Sequence, residues 1–487
     1  EEEHLGTVAD LQGLSLTALR HEEHGTRAVL ARVAGPLCSL SMFFATEAHD
    51  NKGLPHCLEH LCFMGSRGYK RGHLDLLATR CGSDGTNAYT SPDHTCYSFE
   101  AVGQSGLLSV LPVFVDHVLC PLLTEDAFLT EVHHVNGRGE RQGVVYSEML
   151  GRVTDEAEVL ELERRRATFG DASPYGYEHG GMPEDIMKLT REDVAGYHGQ
   201  VYTTDNLRVV VSGTFDEAEV LRVLDAALTA AVSHGAGRSC QQRPFISPLP
   251  APPASCQLRR SVQFPSDDVS VGSISYSRRL EDIAFDSHLE IAALDCLGRY
   301  LTALASSPLE QAFVQCEPPI ASGITCSVSL TADPHFCIEL TGVPFRASHE
   351  EDAAAERLGG GEEDSEEEDD DDGEEDEEEP SEGKEERSEG EDREDSEEYG
   401  DGSEAESDGP DWFAGDALLQ RLVEEFRKVH VSLQSGDEKV LAEVRRAVKK
   451  ERISRQESFE DGPSEFLCEA LCPHLVFDRY PRSRARG

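Results

Sequence analysis

Residues 53–69 read Gly-Leu-Pro-His-Cys-Leu-Glu-His-Leu-Cys-Phe-Met-Gly-Ser-Arg-Gly-Tyr, and His56, Glu59 and His60 form the pattern H-x-x-E-H within them. In a helix, His56 and His60 lie one turn apart on the same face, close enough to bind one cation. Zinc accepts two imidazoles and a carboxylate, and it lowers the pKa of its water to about 7. A neighbouring carboxylate such as Glu59 can then take the proton. The stretch therefore predicts a helix that carries a site for metal-assisted hydrolysis.

The same five residues also fit a helix surface on which two histidines and a glutamate are simply solvated, so the surrounding sequence must decide. Their spacing is that of the inverted zincin motif. Glu148 follows the apolar residues 144–146, and a carboxylate among packing residues costs free energy unless it is paired or binds a metal. We therefore predict Glu148 as the third ligand. Glu140 is a competing ligand, or a residue that lies behind the ligands and orients them.

Most of the acidity of the chain lies in one tract. The 487 residues carry a formal net charge of −50, and residues 350–410 contain 34 Asp and Glu against 4 Lys and Arg. A segment with so little apolar surface cannot fold on its own, so 348–410 is predicted to be a disordered insertion. It could contact basic proteins. We expect no nucleic acid as partner. We also expect no membrane as partner, because no apolar run reaches the length of a membrane span.

The fourteen cysteines are scattered singly, and no two of them form C-x-x-C. This usage indicates reduced thiols in a reducing compartment, and we expect a cytoplasmic protein. The chain begins Glu-Glu-Glu-His without Met, so a targeting peptide would not be visible. A mitochondrial location is the alternative.

Residues 85–97 predict a β-hairpin, because Gly82 and Gly85 precede one strand and Pro92 and Asp93 form the turn before the next. Glycines at one end and a proline at the other suit an edge strand. The free backbone groups of such an edge can accept an extended peptide as an additional strand. A plain hairpin without this role is the alternative.

The remaining pattern predicts two α+β domains in tandem, 1–235 and 257–487, joined by a Pro/Gly-rich linker at 236–256. Each is expected to hold a mostly antiparallel sheet packed with helices. The second domain repeats the order of elements of the first, but its first helix has no H-x-x-E-H. Within the first domain, we predict one helix over 124–136 and one long charged helix over 139–165.

Four segments in this order resemble the inverzincin metallopeptidases of the pitrilysin/insulysin/presequence-protease family: 53–65, 85–97, 143–149 (Gly-Val-Val-Tyr-Ser-Glu-Met) and 189–206. The resemblance spans roughly residues 15–345. The form of the third segment is most similar to the cytosolic, presequence-protease-like branch.

The resemblance implies a role for each matching residue. His56, His60 and Glu148 correspond to the ligands of one zinc ion per chain, and Glu59 corresponds to the general base. Asn87 and Ala88 correspond to the edge strand that pairs with the substrate backbone. The implied fold is one half of a clamshell that closes over a peptide, and the implied activity is that of a zinc-dependent endopeptidase.

The sequence departs from the family in one major respect. Monomeric members are about twice as long, and their second half supplies residues that complete the site. The chain is thus expected to be an N-terminal half that works with a missing C-terminal half or a partner chain. The alternative function is a catalytically incomplete half-enzyme that binds peptides or serves as a scaffold.

Overall fold

The structure, a computed structural model, describes residues 2–8, 14–245, 260–266, 270–280, 283, 288–344 and 413–477. The strands of these residues are, in chain order, β1 (Glu2–Val8), β2 (Leu14–Arg20), β3 (Arg27–Arg32), β4 (Leu37–Ala45), β5 (Thr86–Thr90), β6 (His94–Val102), β7 (His134–Val135), β8 (Arg141–Gln142), β9 (Leu207–Gly213), β10 (Val271–Arg279), β11 (Gly323–Ser329) and β12 (His335–Pro344). Their α-helices are α1 (Leu54–Cys62), α2 (His73–Arg80), α3 (Gly103–Leu119), α4 (Glu125–Glu131), α5 (Val144–Arg152), α6 (Glu156–Phe169), α7 (Pro183–Ile186), α8 (Arg191–Val201), α9 (Glu217–Ser233), α10 (His288–Thr302), α11 (Pro308–Phe313), α12 (Phe413–Ser435), α13 (Glu438–Asp461) and α14 (Pro463–Val476).

The first sheet has seven strands in the order β1-β2-β3-β9-β4-β6-β5. β9 pairs parallel with β3 and antiparallel with β4, and the other neighbours are antiparallel. All seven residues of β9 are buried, because Leu207, Val209 and Val211 enter the main core while Val210 faces a second cluster on the opposite side. A strand covered on both faces reads as a continuous apolar run, which explains the sequence of β9. β5 forms one edge of this sheet, as the sequence predicts.

The second sheet repeats part of the first. Its order is β10-β12-β11, which matches β4-β6-β5 strand for strand, and both sets are antiparallel. Two helices, α10 and α11, connect β10 to β11, as α1 and α2 connect β4 to β5. Helix α10 thus takes the place of α1 and lacks its H-x-x-E-H. The predicted α+β class with two similar units is confirmed.

The last helix packs on the first sheet rather than on the second. Helix α14 contacts β4 and β9, and its residues Cys472, Leu475 and Val476 form a cluster with Phe43 and other buried residues of the strands. The guanidinium of the buried Arg208 donates to the Leu475 carbonyl at 3.2 Å. The predicted second domain, 257–487, therefore differs from the structure at residues 463–476, which complete the first domain.

Two predicted helices differ from the structure, since one ends earlier and the other is divided. The helix expected over 124–136 stops at Glu131, and His134 and Val135 form a strand of the small hairpin β7-β8. The helix expected over 139–165 is two helices, because the Asp155 side chain accepts from the backbone N–H groups of residues 157 and 158 and starts α6. Within the linker, Gly237 forms a bridge with Thr203. Residues 246–256 and the acidic tract lie outside the described residues.

Acid sensitivity is expected from His335, which lies in the second sheet and is 2% exposed. Burial lowers the pKa of His335 to about 4, helped by the nearby guanidinium of Arg164. The unfolded chain therefore takes up a proton below pH 6.5 while the folded chain does not, so stability falls as the pH falls from 6.5 towards 4. Between pH 7.5 and pH 5, we expect His335 to cost about 2 kcal/mol.

Urea unfolding at these two pH values measures this cost. His335→Gln should lose about 2 kcal/mol less than wild type on acidification, whatever its stability at pH 7.5. His430→Gln, at an exposed position of α12, is the matched control and should retain the wild-type sensitivity. Equal acid responses of His335→Gln and wild type would contradict the assignment.

Candidate metal centre

The helix that carries H-x-x-E-H begins where the chain makes a sharp turn. Gly53 precedes α1 with φ = 71°, a left-handed conformation that favours glycine, and Pro55 lies in the first helical turn, where its missing N–H costs nothing. Helix α1 packs against β5 and β6 on one side and against α4, α5 and α8 on others. His56 and His60 lie on one face of it, and their ring centroids are 4.9 Å apart.

Glu148 of α5 faces both histidines. Its Oε2 lies 3.6 Å from His56 Nε2 and 3.6 Å from His60 Nε2. The ligand atoms of these three residues all lie within 4.8 Å of one another. Donors bound tetrahedrally to one zinc ion at about 2.0–2.1 Å lie about 3.3 Å apart. The donor set, two imidazoles and one carboxylate oxygen, therefore fits a zinc ion in both chemistry and spacing.

The second oxygen of Glu148 faces an arginine. Arg152, one turn further along α5, places Nη1 3.6 Å from Glu148 Oε1 and also donates to Glu158. Oε2 is the oxygen that faces the histidines. The side chain of Glu148 is 40% exposed, so the sequence argument that it is buried among packing residues was wrong. Glu148 instead lies on α5 at the border between the buried face, which contains Val145 and Met149, and the exposed face.

A backbone carbonyl fixes the orientation of His56. Its Nδ1 lies 3.2 Å from the carbonyl oxygen of Gly180. A carbonyl only accepts, so Nδ1 carries the proton and Nε2 presents its lone pair to the cluster. Burial, and then the nearby His60, lower the pKa of His56, which favours the neutral imidazole that a metal requires. Glu178 fixes the loop in turn, because its carboxylate accepts from the Gly180 N–H at 3.0 Å.

Glu59 is buried beside this cluster and is not one of its three members. It is 8% exposed, and its Oε2 accepts a hydrogen bond of 2.5 Å from the Thr90 hydroxyl at the end of β5. Burial raises the pKa of Glu59 to about 7, although the bond from Thr90 opposes the rise. A carboxylate with a pKa near neutrality can both accept and return a proton at neutral pH.

The edge strand β5 runs past Glu59. Thr90 joins the two, and Ala88 and Asn87 precede it on the same strand. In the described part of the chain β5 pairs with β6 on one side only, so its other side is an open edge at which an extended peptide can pair. The Ala88 N–H donates to the side chain of Asn87 at 2.9 Å, a hydrogen bond that a peptide pairing with this N–H would replace.

Glu140 lies outside this cluster. It is exposed in the turn between β7 and β8, where its carboxylate accepts from the Asn136 side chain at 2.7 Å. The carboxylate that does lie behind a histidine is Glu131, the last residue of α4, whose Oε2 is 3.6 Å from His60 Nδ1. The sequence alone gives no signal that Glu131, Thr90 and Arg152 belong to this centre. Only the fold brings their three elements to α1.

A second group of possible ligands consists of His21 and His24, in the turn between β2 and β3, and Asp225 of α9. His21 Nδ1 accepts the backbone N–H groups of Glu23 and His24, at 3.2 and 3.1 Å. Its proton is therefore on Nε2, which donates to Asp225 at 2.8 Å. A metal at Nε2 would have to displace this proton and break the two backbone hydrogen bonds. The group is better explained as a hydrogen-bonded turn.

Comparison with known proteins identifies the family. The profile of the insulinase family (Peptidase family M16) matches residues 44–151, and that of the Peptidase M16 inactive domain matches residues 188–339. The first range includes His56, Glu59, His60 and Glu148, and the second includes β10, β11 and the first half of β12. The chain belongs to the M16 peptidase family, which confirms the resemblance to the pitrilysin group.

Individual relatives agree with this assignment. An uncharacterized protein of Caenorhabditis elegans is 33% identical over 341 residues, 68% of this chain and 33% of the relative. The mitochondrial presequence protease of Drosophila melanogaster is 32% identical over 194 residues, 38% of this chain and 19% of that protein. The chain thus spans about a third or less of the length of these relatives. A protease of Helicobacter pylori shares the fold, with a TM-score of 0.60 at 18% identity over 95% of this chain and 89% of that structure.

No helix in the described part of the chain combines the length and hydrophobicity required to cross a membrane.

Proposed function

We propose that the chain is the metal-bearing half of a zinc-dependent endopeptidase that hydrolyses peptides or unfolded polypeptide segments. One observation carries the proposal: Glu148 Oε2 lies 3.6 Å from the Nε2 atoms of both His56 and His60, with the buried Glu59 beside them. Three ligands that leave a fourth position open are the arrangement of a catalytic zinc site, whereas structural sites are closed by four protein ligands.

The roles of the residues follow from their contacts. When bound, zinc lowers the pKa of a water molecule and polarises a carbonyl group. Glu59 accepts the proton of the attacking water and returns it to the leaving amine. Thr90 holds one oxygen of Glu59 at 2.5 Å, so the other oxygen remains free for the proton. Arg152 pairs with the oxygen of Glu148 that faces away from the histidines.

The substrate is proposed to bind as an additional strand on β5. This strand is the edge of the first sheet, and Asn87 and Ala88 lie on it before Thr90, which contacts Glu59. An extended peptide paired with Ala88 would pass next to the general base. Folded proteins do not present an extended backbone of this kind, and the proposed substrates are therefore peptides and unfolded segments.

A further half of the enzyme is the proposed partner. The chain spans 33% of its Caenorhabditis elegans relative, and a second half, on the same or another chain, would close the site. The same observation supports the second candidate function, a peptide-binding or scaffold half without turnover. Peptide binding without cleavage, both alone and with a full-length relative added, would favour this second function.

For location, we propose the cytoplasm. The thirteen cysteines of the described residues are free thiols, as expected in a reducing compartment. The mitochondrion is the alternative, and the name of the Drosophila melanogaster relative includes it.

Zinc content tests the proposal directly. Elemental analysis of the purified protein should give about one zinc per chain, and His60→Ala should remove it because only two donors would remain. The matched control is His21→Ala, which alters the other histidine group and should leave the zinc content unchanged. A folded wild-type protein that takes up no zinc would contradict the proposal.

A further inference from the structure

The two histidines of the metal centre have different partners behind them. His56 Nδ1 donates to a neutral carbonyl, that of Gly180. His60 Nδ1 instead lies 3.6 Å from Oε2 of Glu131, a carboxylate contributed by α4. His60 Nε2 faces Glu148. The imidazole ring therefore lies between two carboxylates, with one nitrogen directed at each.

Glu131 occupies a position that is unfavourable for a carboxylate. It is the last residue of α4, and a negative charge at a helix C-terminus opposes the helix dipole. Its side chain is only 12% exposed, and burial of a charge adds a further cost unless the charge is paired. The ion-pair contacts of the described residues place His60 near one oxygen and Arg71 Nη2, at 3.9 Å, near the other.

Arg71 is the weaker of these two partners. The side chain of Arg71 is 63% exposed, whereas that of His60 is 19% exposed. An exposed ion pair at this separation is screened by solvent and contributes little. A contact between Glu131 and a largely buried imidazole N–H is screened much less. Of the two partners of Glu131, His60 is therefore the one better shielded from solvent.

We infer that Glu131 is the positioning residue of the metal centre, and that it holds His60 through Nδ1. A carboxylate on the outer nitrogen of an imidazole ligand fixes its tautomer and ring orientation and makes it a stronger donor. Glu131 thus strengthens one ligand selectively, while His56 depends on a carbonyl. The inference rests on the proposed function, because it requires that His60 binds a metal.

Zinc affinity measures this role without reference to activity. In a competition titration with a chromogenic chelator, Glu131→Gln should bind zinc about ten- to a hundredfold more weakly than wild type. The visible spectrum of the cobalt-substituted protein should also change, because the orientation and donor strength of a ligand would differ. Glu140→Gln, at the exposed carboxylate that the sequence analysis had considered, is the matched control and should leave both the affinity and the spectrum unchanged.

A second variant separates the two partners of Glu131. Arg71→Gln removes the ion pair and leaves the contact with His60, so its zinc affinity should equal that of wild type. This variant also tests the inference if Glu131→Gln does not fold, since a tenfold loss in Arg71→Gln would show that the ion pair matters instead.

Each outcome is decisive for one of the two proposals or for both. Wild-type zinc affinity in folded Glu131→Gln would overturn the role of Glu131 and leave the proposed function intact. A wild-type protein that binds no zinc would overturn both.

Discussion

Glu59→Gln is expected to abolish peptide hydrolysis while the protein keeps its zinc. The glutamine side chain has the same size and still accepts the hydrogen bond from Thr90, but it cannot take the proton of the attacking water. Loss of a general base typically lowers kcat by about 10²- to 10⁴-fold. Because Glu59 is not among the three grouped ligands, the zinc content should stay at about one per chain.

Cleavage of an internally quenched, unstructured peptide provides the rate, and elemental analysis provides the zinc content. The exposed Glu140 again offers a control, since Glu140→Gln should hydrolyse the peptide as wild type does. Wild-type turnover in Glu59→Gln would exclude Glu59 as the base. Loss of zinc in this variant would instead show that Glu59 supports the ligands.

Gly53→Ala is expected to give a large loss of stability close to the metal centre. At φ = 71°, a Cβ at residue 53 would lie 2.4 Å from the Gly180 carbonyl oxygen and 2.7 Å from the Gly181 Cα. These neighbours are backbone atoms that cannot rotate away. The left-handed conformation costs about 1–2 kcal/mol for a residue other than glycine, and overpacking adds about 1–3 kcal/mol.

The same substitution should also weaken zinc binding by about tenfold or more, because the displaced Gly180 carbonyl is the partner of His56 Nδ1. Gly72→Ala is a close control. Gly72 precedes α2 with φ = 76°, and a Cβ at this residue would meet nothing within 4 Å. Gly72→Ala should therefore cost only the conformational part, about 1–2 kcal/mol. Similar urea midpoints for the two variants would show that the contact with Gly180 is not tight.

The metal-centre helix was accessible to sequence analysis because its information is local. His56, Glu59 and His60 lie within five consecutive residues, and helical geometry alone brings the two histidines together. The hairpin of β5 and β6 was accessible for the same reason, since its glycines and its Pro92-Asp93 turn are adjacent in sequence.

The remaining parts of the centre depend on distant contacts. The apolar residues before Glu148 predict a carboxylate among packing residues, yet its side chain is 40% exposed. Its position follows from the packing of α5 against α1. Glu131 has no local signal at all, since a glutamate near a helix end resembles any solvated residue. Its relation to His60 exists only because α4 packs against α1.

The fold shows the same division. The order strand, two helices, two strands can be predicted for both units, because each unit is continuous in sequence. The return of α14 to the first sheet was not visible, since its apolar residues would fit either sheet. Helix α14 packs on the first sheet because it covers an apolar face of β4 and β9. Such complementarity between distant surfaces produces no periodic pattern in the sequence.

The return of α14 also constrains the order in which the protein can form during synthesis. Phe43, Ala45 and Val210 have their burial completed by residues near 475, which the ribosome adds more than 260 residues after Val210. At about 5–20 residues per second, that interval lasts on the order of 13–50 s. During this interval, the face of the first sheet that α14 later covers stays exposed and apolar. Chaperones bind such surfaces on nascent chains.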